Sequence, residues 1–110
     1  MKIAIIGSRT ITNYNLESIV SDEVTEIVSG SAKGADTLAR EYAEKHGLKY
    51  TEFLPDYSRY GKAAPIVRNK QIADYSDKVI ALWNGKSKGT KSVIDYCRKE
   101  NIEIEIKVIE

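Results

Sequence analysis

The sequence is poor in the residues that hold small folds together by covalent or metal staples. Cys97 is its only cysteine and His46 its only histidine. A single thiol closes no internal disulfide and gives no sign of secretion. One thiol with one distant imidazole does not furnish a zinc site, so no metal is expected. His46 is read as a structural residue at a helix end. Long apolar runs are missing too. None approaches the ~20 residues that span a bilayer, so no membrane is expected. The opening MKIAIIGSRT has an apolar part of four residues before Gly7. That suits a buried first strand better than a leader. Nor is one sign of charge in excess. Seventeen Lys and Arg stand against sixteen Asp and Glu, a net charge of +1. This removes any global argument for nucleic acid or a membrane surface. What is left, 110 residues at 42% hydrophobic and 30% charged, has the make-up of an ordinary globular protein. One domain over residues 1–110 and a cytoplasmic location are expected.

What is present is a regular alternation of short apolar runs and helical patterns. Residues 3–6 (IAII) form a continuous apolar run closed by Gly7, as in a parallel strand covered on both faces. Thr12 or Asn13 is placed to cap a helix carrying Leu16, Ile19 and Val20 on one face. Residues 24–28 read as the second strand. Residues 35–46 have the clearest 3.6-residue period in the chain, with Gly47 as the stop. Residues 49–54 alternate and read as the third strand. Residues 55–64 (PDYSRYGKAA) lack a period and read as a loop long enough to cover a site. Pro65 fits the first turn of a helix running through Ile66, Val67, Ile72 and Ala73. Residues 79–83 (VIALW) are the most hydrophobic run and read as a central strand. A helix over 90–99 buries Val93, Ile94 and Cys97, and residues 102–109 alternate like a strand at a sheet edge. The order predicts an α/β class: a Rossmann-like three-layer α/β/α domain with a mainly parallel five-stranded sheet.

Open sheets of this kind bind ligands beyond the carboxyl ends of their strands, where strand order reverses. Three glycine turns fall at such ends: residues 7–10 (GSRT), 28–36 (VSGSAKGAD) and 84–89 (NGKSKG). Each leads toward a helix N-terminus, which favours an anion. Together they suggest a cradle for phosphate. In the second turn, Gly30 and Gly34 let backbone N–H groups come close to a ligand, Lys33 adds a mobile charge, and Asp36 lies in the first helical turn. Arg9, Lys33, Arg59, Lys62, Arg68, Lys86 and Lys88 all fall on this rim, while most acids lie elsewhere. Arg68 suits a bidentate contact with phosphate, and Asn69 a bond to ribose or base. Tyr57 and Tyr60 are the better candidates for stacking on a nucleobase. For Trp83, stacking and a core position at a strand end are equally open.

Standard motifs do not fit. GSRT lacks the later glycines of a dinucleotide fingerprint, and residue 80, where a P-loop ending in Gly85-Lys86-Ser87 needs its first glycine, is Ile. Ser29 and Ser31 have no histidine base nearby in sequence, which leaves a serine hydrolase poorly supported.

GSR, VSGSAKGAD, PDYSRYGKAA, the Arg68-Asn69 pair and LWNGKSKGT, in that order, resemble the SLOG superfamily, closest to its small YpsA-related branch. The resemblance spans roughly residues 3–97. It implies a Rossmann-like fold whose glycine turns bind nucleotides or nucleotide-derived ligands. In related branches this pocket senses ligands such as ADP-ribose derivatives, or cleaves the N-glycosidic bond of a nucleoside monophosphate, as in the Lonely Guy hydrolases. The DNA-processing protein branch binds single-stranded DNA. By motif match, Gly7, Ser8 and Arg9 take the first-turn role and Gly30, Ser31, Lys33, Gly34 and Asp36 the second. Arg68 and Asn69 take the helix-start role, and Gly85, Ser87, Gly89 and Thr90 the last. One departure matters. The hydrolase branch carries a glutamate just after its glycine-threonine pair, whereas here Gly89-Thr90 runs into Lys91-Ser92-Val93. A lysine cannot act as that carboxylate and would add to phosphate binding instead.

Three readings follow. The first is a module that binds or senses a nucleotide or nucleotide-derived small molecule and requires no cofactor. Its phosphates lie on the glycine turns, Arg9, Lys33 and Arg68 neutralise them, and Tyr57 or Tyr60 closes over the base. The second is a nucleotide N-glycosidase, with Asp36 or Asp56 as the acid–base group. The third is single-stranded nucleic acid binding along the positive rim, against which the near-neutral charge and few rim aromatics count. The apolar stripe on the last strand suits either a homo-oligomer contact or a plain sheet edge.

Overall fold

The computed structural model describes residues 1–30 and 33–109. Its five strands are β1 (Lys2–Gly7), β2 (Glu26–Ser29), β3 (Lys49–Glu52), β4 (Lys78–Trp83) and β5 (Ile104–Val108). They form one sheet in the order β3-β2-β1-β4-β5, and every pairing is parallel. Four α-helices accompany them: α1 (Ala35–His46), the single-turn α2 (Tyr57–Tyr60), α3 (Ala64–Tyr75) and α4 (Lys88–Lys99). Strand order reverses between β1 and β4, so β1 is the central strand and β4 its neighbour.

Side-chain alternation along the strands divides the apolar residues between two faces. Ile3, Ile5, Ile27, Ile80 and Leu82 meet Ala35, Ala39 and Ala43 of α1 on one face. Ala4, Ile6, Val28, Val79 and Ala81 meet Ile72 and Ala73 of α3 and Val93, Ile94 and Cys97 of α4 on the other. This is the Rossmann-like three-layer α/β/α arrangement. Because β1 and β4 are covered on both sides, Ile5 and Leu82 are fully buried, each contributing about 2 kcal/mol of transfer free energy. The three alanines of α1 let that helix lie close to the sheet. Gly47, with φ of 64°, ends it by turning its N–H back to Ala43 and Glu44.

Two expected elements differ. The first crossover is no α-helix but one 3-10 turn, Leu16–Ser18. The Asn15 carboxamide accepts from Glu17 N at 3.1 Å, and Ser18 Oγ donates to the Asn15 carbonyl at 2.7 Å. Such local bonds compete with helix propagation. The apolar positions still serve their purpose, since Leu16 and Val20 are buried with Ile11 and Val24 in the α1-side core. The second difference is at residues 55–64. They fold into α2 and a 3-10 turn, Gly61–Ala63, instead of an open loop. Asp56 caps α2 by accepting from Arg59 N at 3.2 Å and Ser58 Oγ at 2.7 Å.

At the sheet edge, Ile104 and Ile106 of β5, with Ile102 before it, pack partly buried on the α3–α4 core, while Val108 of the same strand is exposed. Beneath the sheet, at the N-terminal end of β2, Glu26 is only 7% exposed. Its Oε2 accepts from Thr51 Oγ1 and from the Tyr75 hydroxyl, both at 2.6 Å, and Lys49 lies 3.8 Å from Oε1. No helix among the described residues is long and apolar enough to cross a membrane.

Candidate functional site

The carboxyl ends of β1 and β4 point to one side, and the turns that follow are stitched together. Ser8, 1% exposed, donates its N–H to Leu82 O at 3.0 Å. Its carbonyl accepts from Ile11 N at 3.2 Å and Ala35 N at 3.5 Å, and its hydroxyl accepts from Asn84 N at 3.1 Å. One residue thus ties the first turn to β4 and to the start of α1. Gly34 completes this contact. Its φ is 75°, and a Cβ there would lie 2.5 Å from the Arg9 carbonyl oxygen. It is glycine so that two turns can pack, not so that a ligand can approach. Gly7 is similarly closed in by the Leu82 carbonyl.

The turn after β4 is built by its own side chains. Asn84 Oδ1 accepts from the N–H groups of Lys86 and Ser87, both at 2.8 Å, and Nδ2 donates to Thr10 Oγ1 at 3.3 Å. The Trp83 indole N–H donates to Ser87 O at 3.0 Å, and its ring packs on the α3–α4 core. Trp83 is therefore a partly buried core residue. Gly85, with φ of 80°, serves the turn and lies exposed. Ser87 then caps α4, accepting from Thr90 N at 3.3 Å and Thr90 Oγ1 at 3.2 Å.

The third wall is α3, with Pro65 in its first turn and Arg68 one turn on. Arg68 is 8% exposed. Nε donates to Asn69 Oδ1 at 2.9 Å and Nη1 to Phe53 O at 3.4 Å, and the remaining guanidinium donors have no partner among the described residues. Asn69 thus holds the guanidinium and keeps its own NH2 group as a donor. The guanidinium lies over Gly30. A Cβ on Gly30 would come 2.7 Å from Arg68 Nη1 and 2.9 Å from Asp36 Oδ2. The second-turn glycine is thus required by two charged side chains converging above it. Asp36, 7% exposed in the first turn of α1, accepts from Ser29 Oγ at 2.8 Å, and Ser29 Oγ also lies 2.6 Å from Ile5 O. The Tyr50 hydroxyl donates to Gly30 O at 3.3 Å. Burial, with Glu52 and Asp36 nearby, pushes its pKa up to about 12, so it stays a donor.

These walls enclose a cleft of about 410 Å³ at the switch point between β1 and β4. Of the residues singled out in the sequence, Gly7, Ser8, Arg9, Asp36, Arg68, Asn69, Ser87, Gly89 and Thr90 line it. Gly30 and Gly34 stand behind the lining, holding side chains and turns in place. Lys33 is exposed and outside it, as are Arg59, Lys62, Lys86 and Lys88, so Arg9 and Arg68 are the lining cations among the described residues. Tyr57, 60% exposed, and Tyr60, whose ring lies 5.3 Å from the Arg59 guanidinium, sit on α2 and do not line the cleft. Asp56 is also outside, engaged as the α2 cap. Its hydrogen bonds from Ser58 and Arg59 hold its pKa below the ordinary value. Ser31 lies outside the described residues. Thr10 and Asn84 line the cleft and were not singled out. The signal was available, since Asn-Gly after an apolar strand marks an Asx-type turn.

On α4, the expectation for Lys91 is corrected. Its ammonium pairs with Asp95 at 2.9 Å on the exposed face, and the side chain beyond Thr90 that reaches the cleft is Val93. No carboxylate from α4 lines the cleft, and Asp36 is the lining carboxylate among the described residues. No group of His, Cys, Asp and Glu among them is arranged to hold a metal ion.

An all-parallel sheet in the order 3-2-1-4-5 with a polar cleft at its reversal defines a Rossmann-like α/β protein with a switch-point site. Residues 1–60 of the 110 match the YAcAr family, described as the YspA, cpYpsA-related SLOG family. With more than half of its length matched, the chain belongs to this family. No curated protein and no solved structure matches it. The matched part holds the first two glycine turns, Asp36 and α2, while Arg68, Asn69 and the α4 turn lie beyond it.

Proposed function

We propose that the cleft binds a nucleotide or nucleotide-derived ligand, a nucleoside phosphate or an ADP-ribose-like molecule, and that the protein is a binding or sensing module. One observation carries this reading: a guanidinium that is 8% exposed lines the cleft with donors that have no partner among the described residues. Burying an arginine is costly unless something completes its hydrogen bonds. A phosphate does so with the right charge and planar geometry. The start of α4 reinforces it, because the first-turn N–H groups of Lys88 and Gly89 have no intrahelical partner. Membership of a SLOG family is in keeping with such a ligand.

Thermal-shift titration with AMP, ADP-ribose and NAD tests this. At least one compound raises the melting temperature of the wild type, and Arg68→Met abolishes the response. If none acts, or the variant responds like the wild type, the reading fails. The second reading, a nucleotide N-glycosidase, draws on Asp36, a carboxylate in the cleft held by Ser29. Incubation with nucleoside monophosphates decides it: release of base that is lost in Asp36→Asn makes the protein an enzyme, and no release leaves it a binder.

A further inference from the structure

We infer that the cleft selects its ligand by a sugar phosphate, one phosphoryl group flanked by hydroxyls, and leaves any base attached to that sugar in solvent. This deepens the nucleotide reading and rests on it. Among the described residues, the buried place suited to an anion is where the Arg68 guanidinium and the start of α4 at Gly89 and Thr90 line the same space, while Arg9, the other lining cation, is exposed. Close by, Asp36 lines that space at 7% exposure. A carboxylate there repels a second phosphoryl group but accepts hydrogen bonds from neutral hydroxyls. A carboxylate offers about four lone-pair sites, of which the Ser29 bond takes one. The neighbours extend a pattern suited to a polyol. Thr10 Oγ1 accepts from Asn84 Nδ2 and retains its proton, and Asn69 retains its NH2 donors.

The second half of the inference comes from where the rings lie. No Phe, Tyr or Trp is among the described lining residues. Tyr57 and Tyr60 are on α2 outside the cleft, and the Trp83 ring is packed on the α3–α4 core with its N–H given to Ser87 O. A base in this cleft would have nothing to stack on, and stacking is the main source of base affinity in sequence-tolerant sites. The volume of about 410 Å³ is toward the small end of small-molecule sites, which span ~300–1,000 Å³.

Calorimetry on the full chain with ribose 5-phosphate, AMP, UMP, ADP, adenosine and inorganic phosphate tests it. Ribose 5-phosphate, AMP and UMP bind within about threefold of one another, ADP no tighter than AMP, and adenosine at least about a hundredfold more weakly. If AMP binds more than about tenfold tighter than both ribose 5-phosphate and UMP, the cleft reads the base; the inference is wrong while the nucleotide reading stands. If no phosphorylated compound binds, both are wrong. Asp36→Asn separates the two halves of the seat. It weakens ribose 5-phosphate by about tenfold and leaves inorganic phosphate as tight or tighter. An equal loss for both ligands, or none for the sugar phosphate, overturns the role given to Asp36. The wild-type comparison needs no variant and stands even if Asp36→Asn fails to fold.

Discussion

The two ends of the sheet handle buried polar groups in opposite ways. At the N-terminal end of the strands, Glu26 is 7% exposed and its bonds are made within the protein, to Thr51, Tyr75 and Lys49. Around it, Lys2 N donates to Asp77 Oδ2 at 2.7 Å, and the Lys2 ammonium lies 4.0 Å from the centre of the Tyr75 ring. At the carboxyl end, Arg68 is 8% exposed and keeps donors without a partner among the described residues. Burial costs both groups desolvation. The lower network recovers that cost in the folded chain alone and so acts on stability. The upper one leaves guanidinium donors open to the cleft, where a ligand would complete them on the reading proposed above. On that reading, the lower charge serves the fold and the upper one serves a ligand.

The largest expected effect breaks the lower network. Glu26→Ala strips the acceptor from two hydroxyls and leaves the Lys49 ammonium unpaired, and it lowers unfolding free energy in urea by about 3 kcal/mol. Ligand affinity of the surviving folded fraction is unchanged, because the cleft lies at the other end of the strands. Arg68→Met is the converse. It keeps most of the apolar stem and removes one good hydrogen bond and one long one. Stability is expected to change by only about 1 kcal/mol, while the thermal response to nucleoside phosphates disappears. Were Arg68→Met to cost as much stability as Glu26→Ala, the two ends would not differ in kind, and Arg68 would be a structural residue.

The upper end was more legible in the sequence than the lower. The glycine turns stand at strand ends where α/β topology puts ligands, which pointed to Gly7 to Arg9 and Asp36; Arg68 followed from its place after Pro65, and Ser87, Gly89 and Thr90 from the resemblance to the SLOG superfamily. The bounds of α1 are those read from the sequence, because a strong 3.6-residue period ends at a glycine that adopts the left-handed conformation. Glu26 was not legible. A glutamate at the start of a strand looks solvated, and its partners are 25 and 49 residues away in sequence. The direction of Tyr57 and Tyr60 was not legible either, since a segment without a period does not say which way its rings turn. The first crossover misled because Leu16, Ile19 and Val20 have helical spacing whether or not a helix forms. What decides is the Asn15 side chain, which satisfies the Glu17 N–H locally.

A smaller effect sharpens the contrast through pH. Burial pushes the pKa of Glu26 up. The hydroxyls of Thr51 and Tyr75, with Lys49 and Lys2, more than offset that and hold it below its ordinary 4.5. A carboxylate whose pKa is depressed in the folded state stabilises the fold above its unfolded value. That contribution is lost as pH falls through the folded value. The urea midpoint of the wild type therefore drops more steeply below pH 4.5 than that of Glu26→Gln, which carries no proton to titrate there. Parallel curves would mean that Glu26 is not held as the geometry indicates. Glu105 and Glu17 are also held low by neighbouring lysines, and they act in both proteins alike.

The smallest expected effect concerns Lys91, which sequence order puts beside the α4 seat and the structure turns away from it. Its pair with Asp95 is an exposed contact between residues four apart on one helix, with side chains 61% and 55% exposed. Such pairs are worth about 0.3–0.5 kcal/mol and are screened by salt. Lys91→Ala is expected to cost no more than that, with the difference vanishing at about 1 M salt, where the Debye length is ~3 Å. The thermal response to AMP should stay that of the wild type. The alternative geometry has a distinct signature. A lysine reaching the cleft would act at the phosphate, so its removal would weaken ligand binding several-fold and leave stability untouched. Loss of binding without loss of stability would place Lys91 with Arg68. A small stability loss with binding intact keeps it on the outer face of α4, where it pairs with Asp95.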